Sequence, residues 1–214
     1  MVGFLLMSHI CLAQIPVSKE PRHHDILDNS HVRLLDVHIP AGDTSEFHIH
    51  QTPSVFIILK NVKTGSEVIS EEDHTNSPIP HFDNIWFEGF YEKPRIHRVW
   101  NSDQEEFHVM DIELPNKNFK NLGPPIPQKA FAFLFDEKPV RAYRLHMEPS
   151  STISLPVMNA DVLMILLSDS AESMHINNKI FYKKGDFLYV SFGQELHFIN
   201  GGKAKAEFAF FELK

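Results

Sequence analysis

Gly42–Leu59 reads GDTSEFHIHQTPSVFIIL. Apolar and polar residues alternate at first, then the run becomes continuously apolar. Period two is the signature of a strand. His48 and His50 are two residues apart, so both side chains leave the same face, with Cα atoms about 6.6 Å apart. Imidazoles at that spacing reach a single ion at about 2.0–2.1 Å. Thr52, Ser54, Phe56 and Ile58 continue that face, which turns apolar. It is therefore an interior face, and a partly dry pocket strengthens electrostatics within it. An isolated H-x-H is equally compatible with hydrogen-bonded or surface histidines, so the surrounding sequence has to decide.

Outward from this stretch the chain repeats itself. VRLLDVHIP from Val32 resembles VRAYRLHME from Val140, 108 residues on. At that offset Arg33 meets Arg141, His38 meets His146, and VFIIL from Val55 falls on LMILL from Leu163. Pro156 and Met158 stand where His48 and His50 would be. Near the end of each half, His97 and Asn101 in HRVWN correspond to His197 and Asn200 in HFIN, and FHVMDIEL corresponds to FAFFEL. The Pro-, Asn- and Gly-rich stretch PNKNFKNLGPPIP separates the halves, which is linker chemistry. Alternating segments, short apolar runs and the Lys-Gly-Asp turn signal in KIFYKKGDFLYVSF give an all-β chain of many short strands, expected to form barrels or sandwiches. The boundaries are an arm at 14–24, a first barrel at 25–114, a linker at 115–129 and a second barrel at 130–214.

Composition agrees with that class. The 214 residues include 18 Phe and 14 Pro but only 9 Gly. A net charge of −8 with no Lys/Arg run excludes a phosphate-binding footprint, so no nucleic-acid partner is expected. Residues 1–13, MVGFLLMSHICLA, form an apolar run too short to span a bilayer and ending in small residues. They read as a signal peptide, which predicts a secreted or periplasmic protein with no membrane span. Cys11, the single cysteine, would leave with it, excluding disulfides and thiolate chemistry.

The spacing G-x5-H-x-H, an apolar strand, and a later H-x3-N in GFYEKPRIHRVWN resembles the paired motifs of the cupin superfamily. The second half carries the later motif as Gly185-Asp186, Gly193, His197 and Asn200. The resemblance covers all but the leader, arm and linker. It implies two tandem jelly-roll β-barrels, a bicupin. It assigns His48, His50 and His97 as ligands of one divalent metal ion, Fe, Mn, Ni or Zn. Cupins often add a Glu ligand; here Ser54 stands in its place, and Glu46, on the strand face of His48, is the candidate substitute or a proton-handling base. With one histidine in the motif, the second barrel is expected to be metal-free, structural or dimer-forming, and His197 a core histidine.

Arg95 is a candidate clamp for a substrate carboxylate, or the partner of a surface acid such as Glu92. His108, on an alternating strand, is a candidate acid/base. Trp86, Phe87, Phe90 and Tyr91 either line a pocket or pack the core. His23, His24 and His74 lie in polar segments and are read as incidental. Among enzymes with such sites, dioxygenases are prominent, with isomerases and lyases beside them. The resemblance thus implies a metal-dependent enzyme acting on a small anionic or carbonyl metabolite. The alternative is a non-catalytic barrel that binds a sugar or other small molecule.

Overall fold

The computed structural model describes residues 14–69, 74–76 and 84–214; residues 1–13, read from sequence as a signal peptide, lie outside them. The first half holds β1 (Ile15–Pro16), β2 (His23–Asp28), β3 (Arg33–Ile39), β4 (His48–His50), β5 (Ser54–Lys60), β6 (Thr64–Ile69), β7 (His74–Asn76), β8 (Ile85–Glu88), β9 (Arg95–Asn101) and β10 (Phe107–Glu113). The second holds β11 (Phe131–Asp136), β12 (Val140–Met147), β13 (Ser151–Leu155), β14 (Asp161–Leu166), β15 (Ser170–Ile176), β16 (Lys179–Lys183), β17 (Phe187–Val190), β18 (Leu196–Asn200) and β19 (Ala206–Leu213). Each half pairs two sheets. Their strand orders are β1-β4-β9-β6-β7 with β2-β3-β10-β5-β8, then β13-β18-β15-β16 with β11-β12-β19-β14-β17. The chain is all-β, in two tandem jelly-roll barrels, and no strand lies between Glu113 and Phe131.

Residues 14–24, read from sequence as an arm, are built into the first barrel. Strand β1 runs parallel to β4, pairing Ile15 with His48, and Val17 and Glu20 are buried.

The continuously apolar runs have a simple cause: β5 and β14 are covered on both faces. Phe56 and Ile58 join Leu35, Val37, Val99 and Val109 inside the first barrel. Val162, Met164 and Leu166 join Leu145, Phe198 and Phe208 inside the second. The alternate residues Val55, Ile57, Leu59, Leu163 and Ile165 meet in a third apolar layer, with Leu34, Met110, Ile112, Ala142 and Phe211. That layer is a seam where the outer face of one five-stranded sheet packs on the outer face of the other, as sandwiched sheets do. The turn at Gly185 tightens it. Gly185 has φ +87°, and a Cβ there would stand 3.2 Å from the side chains of Leu59 and Met110 in the other half. Only glycine meets both demands without strain.

Equivalent residues make equivalent bonds in the two halves. Arg33 Nη1 reaches Glu113 Oε2 at 2.9 Å, and Arg141 Nη1 reaches Glu212 Oε2 at 3.3 Å. The Asn101 amide donates to the carbonyls of Ile39 and Glu105, as the Asn200 amide does to those of Met147 and Ala204. The motif asparagines thus close a turn. The histidine correspondence does not survive. His97 lies four residues before Asn101 and His197 only three before Asn200. A one-residue slip turns a strand side chain to the other face. His197 is accordingly exposed rather than in the core, with Ser154 Oγ at 3.1 Å from its Nδ1. Where His48 pairs with His97 in the first barrel, buried Leu155 pairs with buried Leu196 in the second.

Candidate metal centre

Strand β4 delivers His48 and His50 to one inward face, and β9 brings His97 directly opposite His48. His48 and His50 are buried, and the possible ligand atoms of the three rings lie within 4.8 Å of one another. Ring centroids are 4.6 Å apart for His48–His97, 4.9 Å for His50–His97 and 5.0 Å for His48–His50. His50 Nε2 stands 3.0 Å from His97 Nε2.

Their Nδ1 atoms face away from the convergence. His48 Nδ1 donates to the Glu46 carbonyl at 2.8 Å, and His97 Nδ1 meets Ser66 Oγ at 3.2 Å. His50 Nδ1 faces Asp111 Oδ2 at 3.5 Å. A histidine whose Nδ1 carries the hydrogen presents a lone pair at Nε2, as metal-ligating histidines do. Burial, then the proximity of the His23 ring, lowers His48 to about 4. Burial, then the crowding of the other rings and of Arg95, pushes His50 and His97 well below the ordinary imidazole range. All three are therefore neutral lone-pair donors at pH 7.

Asp111 on β10 is fully buried against this cluster. Neither its oxygens nor His50 Nδ1 has a hydrogen-bond partner. Burial, then the charge of Glu113, raises its carboxyl well above the ordinary range. An orphaned acid is costly in an apolar interior. Behind a histidine facing a cation it becomes the carboxylate that orients the ring and compensates charge. The donor set and this orphaned acid fit a divalent ion held by His48, His50 and His97.

The cluster lines a cavity of about 120 Å³, with Phe56, Trp86, Glu88, Arg95 and His23 in its wall. Arg95 does reach the chamber, but it pairs with Glu88 (2.7 Å) rather than Glu92 and lies 5.7 Å over the Phe90 ring. Glu46 is exposed and outside the cavity; its backbone, not its carboxylate, serves the site. Ser54 is buried, with its hydroxyl donated to the Thr52 carbonyl at 3.2 Å. His108 is on the outer face of β10, 2.6 Å from Asp36 Oδ1, and not in the chamber. Alternation decides this: Val109 and Asp111 point in, so His108 and Met110 point out. The four aromatics divide. Trp86 stacks on Phe56 in the cavity wall, Phe90 on His50, Phe87 packs at the seam, and Tyr91 is exposed.

His23, read from sequence as incidental, belongs to the site. Its ring is 4.8 Å from that of His48, and its Nδ1 is 2.6 Å from the Oε2 of buried Glu20. No periodicity marks this pair; the one sequence signal is an acid three residues before a histidine. Burial alone would raise the Glu20 carboxyl. The hydrogen bond to His23 and the backbone N–H groups of Glu46 and Arg22 outweigh it, holding Glu20 at about 2 instead of 4.5. A depressed carboxyl stabilises the fold above its unfolded value and loses that contribution as pH falls toward the folded one. Glu20→Gln should therefore cost up to about 3.5 kcal/mol at pH 7, at about 1.4 kcal/mol per unit. The variant and the parent should converge only at about pH 2 and below. Urea denaturation at both pH values tests this, and an equal deficit at the two would refute it.

The sequence matches no protein-family model and no curated protein. Solved structures do match. YhhW from Escherichia coli superposes with a TM-score of 0.62 at 13% identity, over 89% of this chain and 84% of its own. A cupin 2 conserved barrel domain protein from Leptotrichia buccalis gives 0.54 at 10%, over 90% and 88%. The chain has the cupin fold. Salicylate 1,2-dioxygenase from Pseudaminobacter salicylatoxidans gives 0.59 at 8% identity, over 92% of this chain and 77% of its own. At these identities the likeness concerns the fold.

Proposed function

We propose that this chain is a secreted bicupin whose first barrel is a metal-dependent enzyme of the dioxygenase type, acting on a small anionic or carbonyl metabolite. One observation carries the reading. Three neutral imidazoles turn their Nε2 atoms together inside a cavity, and each Nδ1 faces an oxygen outside the cluster. Three histidines without a fourth protein ligand suit a site with open positions for substrate. A divalent ion there supplies Lewis acidity toward a carbonyl or carboxylate oxygen. The neighbouring salicylate dioxygenase fold supports the reaction class by analogy.

The chain's own residues supply the rest. Arg95, in the cavity wall, gives a guanidinium for a carboxylate, and Glu88 holds it in place. Glu20 fixes the Nδ1–H of His23, which leaves His23 Nε2 able to take a proton inside the chamber. Phe56, Trp86 and Phe90 exclude water from one side. The second barrel acts as a support, because its interior is filled by apolar side chains such as Leu155, Leu196 and Phe198.

The test is metal content by elemental mass spectrometry on untagged protein, beside His48→Ala. A difference of about one equivalent of iron, manganese, nickel or zinc, present in the parent and lost in the variant, is expected from three converging ligands. Equal content in both, or none in either after reconstitution, would overturn the reading.

A further inference from the structure

A second group of ligand-type side chains lies outside the chamber, on the outer face of the β2-β3-β10-β5-β8 sheet. Asp36 and His38 alternate along β3, and His108 on β10 stands directly opposite His38. His38 Nε2 is 3.1 Å from Asp36 Oδ2, and His108 Nε2 is 2.6 Å from Asp36 Oδ1. The two rings stack at 4.2 Å with 21° between planes, so both present the same edge to one carboxylate. The possible ligand atoms of all three lie within 4.8 Å of one another. Ligands at about 2.0–2.1 Å around a tetrahedral zinc stand roughly 3.3 Å apart, so the group is already close to that spacing.

His38 carries a carboxylate at each ring nitrogen, since Glu106 Oε1 is 2.9 Å from its Nδ1. A neutral imidazole has one N–H and donates to only one of them. With the hydrogen on Nδ1 toward Glu106, Nε2 sets a lone pair against Asp36, and a cation between them resolves the clash. The carboxylate–histidine–metal arrangement is the usual orientation of a zinc-ligating histidine. The alternative is a protonated His38 stacked on a second imidazole that shares the same carboxylate. Lys60, across from His108, is held by Glu105. At the same places in the second barrel stand Arg144, His146 and Glu207, where the guanidinium provides the positive charge by pairing with Glu207.

We propose that Asp36, His38 and His108 form a second divalent-metal site, selective for zinc-type ions, with Glu106 orienting His38. The three side chains are partly exposed, which gives the ion access and leaves a fourth position to water. The site clips β3 to β10 next to the seam, where the His108 ring approaches the Gly185 turn of the other half.

The probe is zinc itself, titrated by equilibrium dialysis with elemental detection. The protein is full-length His48→Ala/His50→Ala, so the chamber cannot contribute. About one equivalent of zinc is expected, as for a three-ligand site. Adding His38→Gln and His108→Gln should abolish it, and adding Glu106→Gln instead should weaken it about 10- to 100-fold. Zinc should also raise the melting temperature of the double variant but not of the quadruple one, with equal melting of each without zinc showing that both fold. No zinc on the double variant, or undiminished zinc on the quadruple one, overturns the proposal.

Discussion

His50→Ala should purify with its chamber empty of metal while keeping its fold. Of the three ligands, His50 has the most to lose. Its Nε2 faces that of His97 at 3.0 Å, and its Nδ1 stands 3.5 Å from Oδ2 of Asp111. Removing it leaves two histidines in the chamber, too few for a divalent ion under dialysis, so occupancy there, read in a His38→Gln/His108→Gln background, should fall to below about a tenth of the parent's. Asp111→Leu separates holding the ion from holding the fold. Relieving a buried acid without partners should stabilise the metal-free protein by about 1–3 kcal/mol. The same change should weaken metal binding about 10- to 100-fold, the usual cost of losing an orienting carboxylate. Urea denaturation of the metal-free protein and a chelator competition assay read the two quantities. A destabilised Asp111→Leu protein with unaltered metal affinity would falsify the role given to Asp111.

Phe211→Ala should carry the largest stability loss outside the metal centre. Phe211 is fully buried on β19 and points into the seam among Ala142, Leu163 and residues of the first barrel. Truncating a buried Phe to Ala costs about 3–5 kcal/mol when the cavity cannot collapse. Both walls here are hydrogen-bonded sheets, which relax little. The urea midpoint should drop, while the folded fraction keeps its metal. A loss under about 1 kcal/mol would mean that the seam is loosely packed.

The fold was legible because alternation and repetition are strong, local signals. The 108-residue offset places β3 on β12 and β5 on β14, and the H-x-H strand places two histidines on one face. What escaped depended on side-chain direction and on partners far away in sequence. His197 matched His97 by eye, yet one residue fewer before the asparagine turned it outward. Glu46 shared a strand face with His48 on paper, but β4 begins only at His48, so alternation did not extend back to it. Asp111 drew no attention within an alternating apolar strand, and its meaning lies in a histidine 61 positions earlier. His23 sits in a polar stretch, and its place beside the chamber comes from the pairing of β2 with β3, which sets it opposite Val37. His108 was correctly seen as strand-borne but belongs to the opposite face, with Asp36 and His38.

The seam also bears on the order in which the chain is made. In the two sheets that form the seam, β2-β3-β10-β5-β8 and β11-β12-β19-β14-β17, the middle strand is the last of its half: β10 in the first, β19 in the second. The first barrel can close once residue 113 has emerged, yet the layer that covers its outer face needs β19, 100 residues later. At about 5–20 residues per second, Leu34, Ile57, Met110 and Ile112 stay uncovered on the ribosome for roughly 5–20 s. A finished barrel with a wet apolar flank is the species in which neighbouring nascent chains find each other, and synthesis of the second half is what ends that interval.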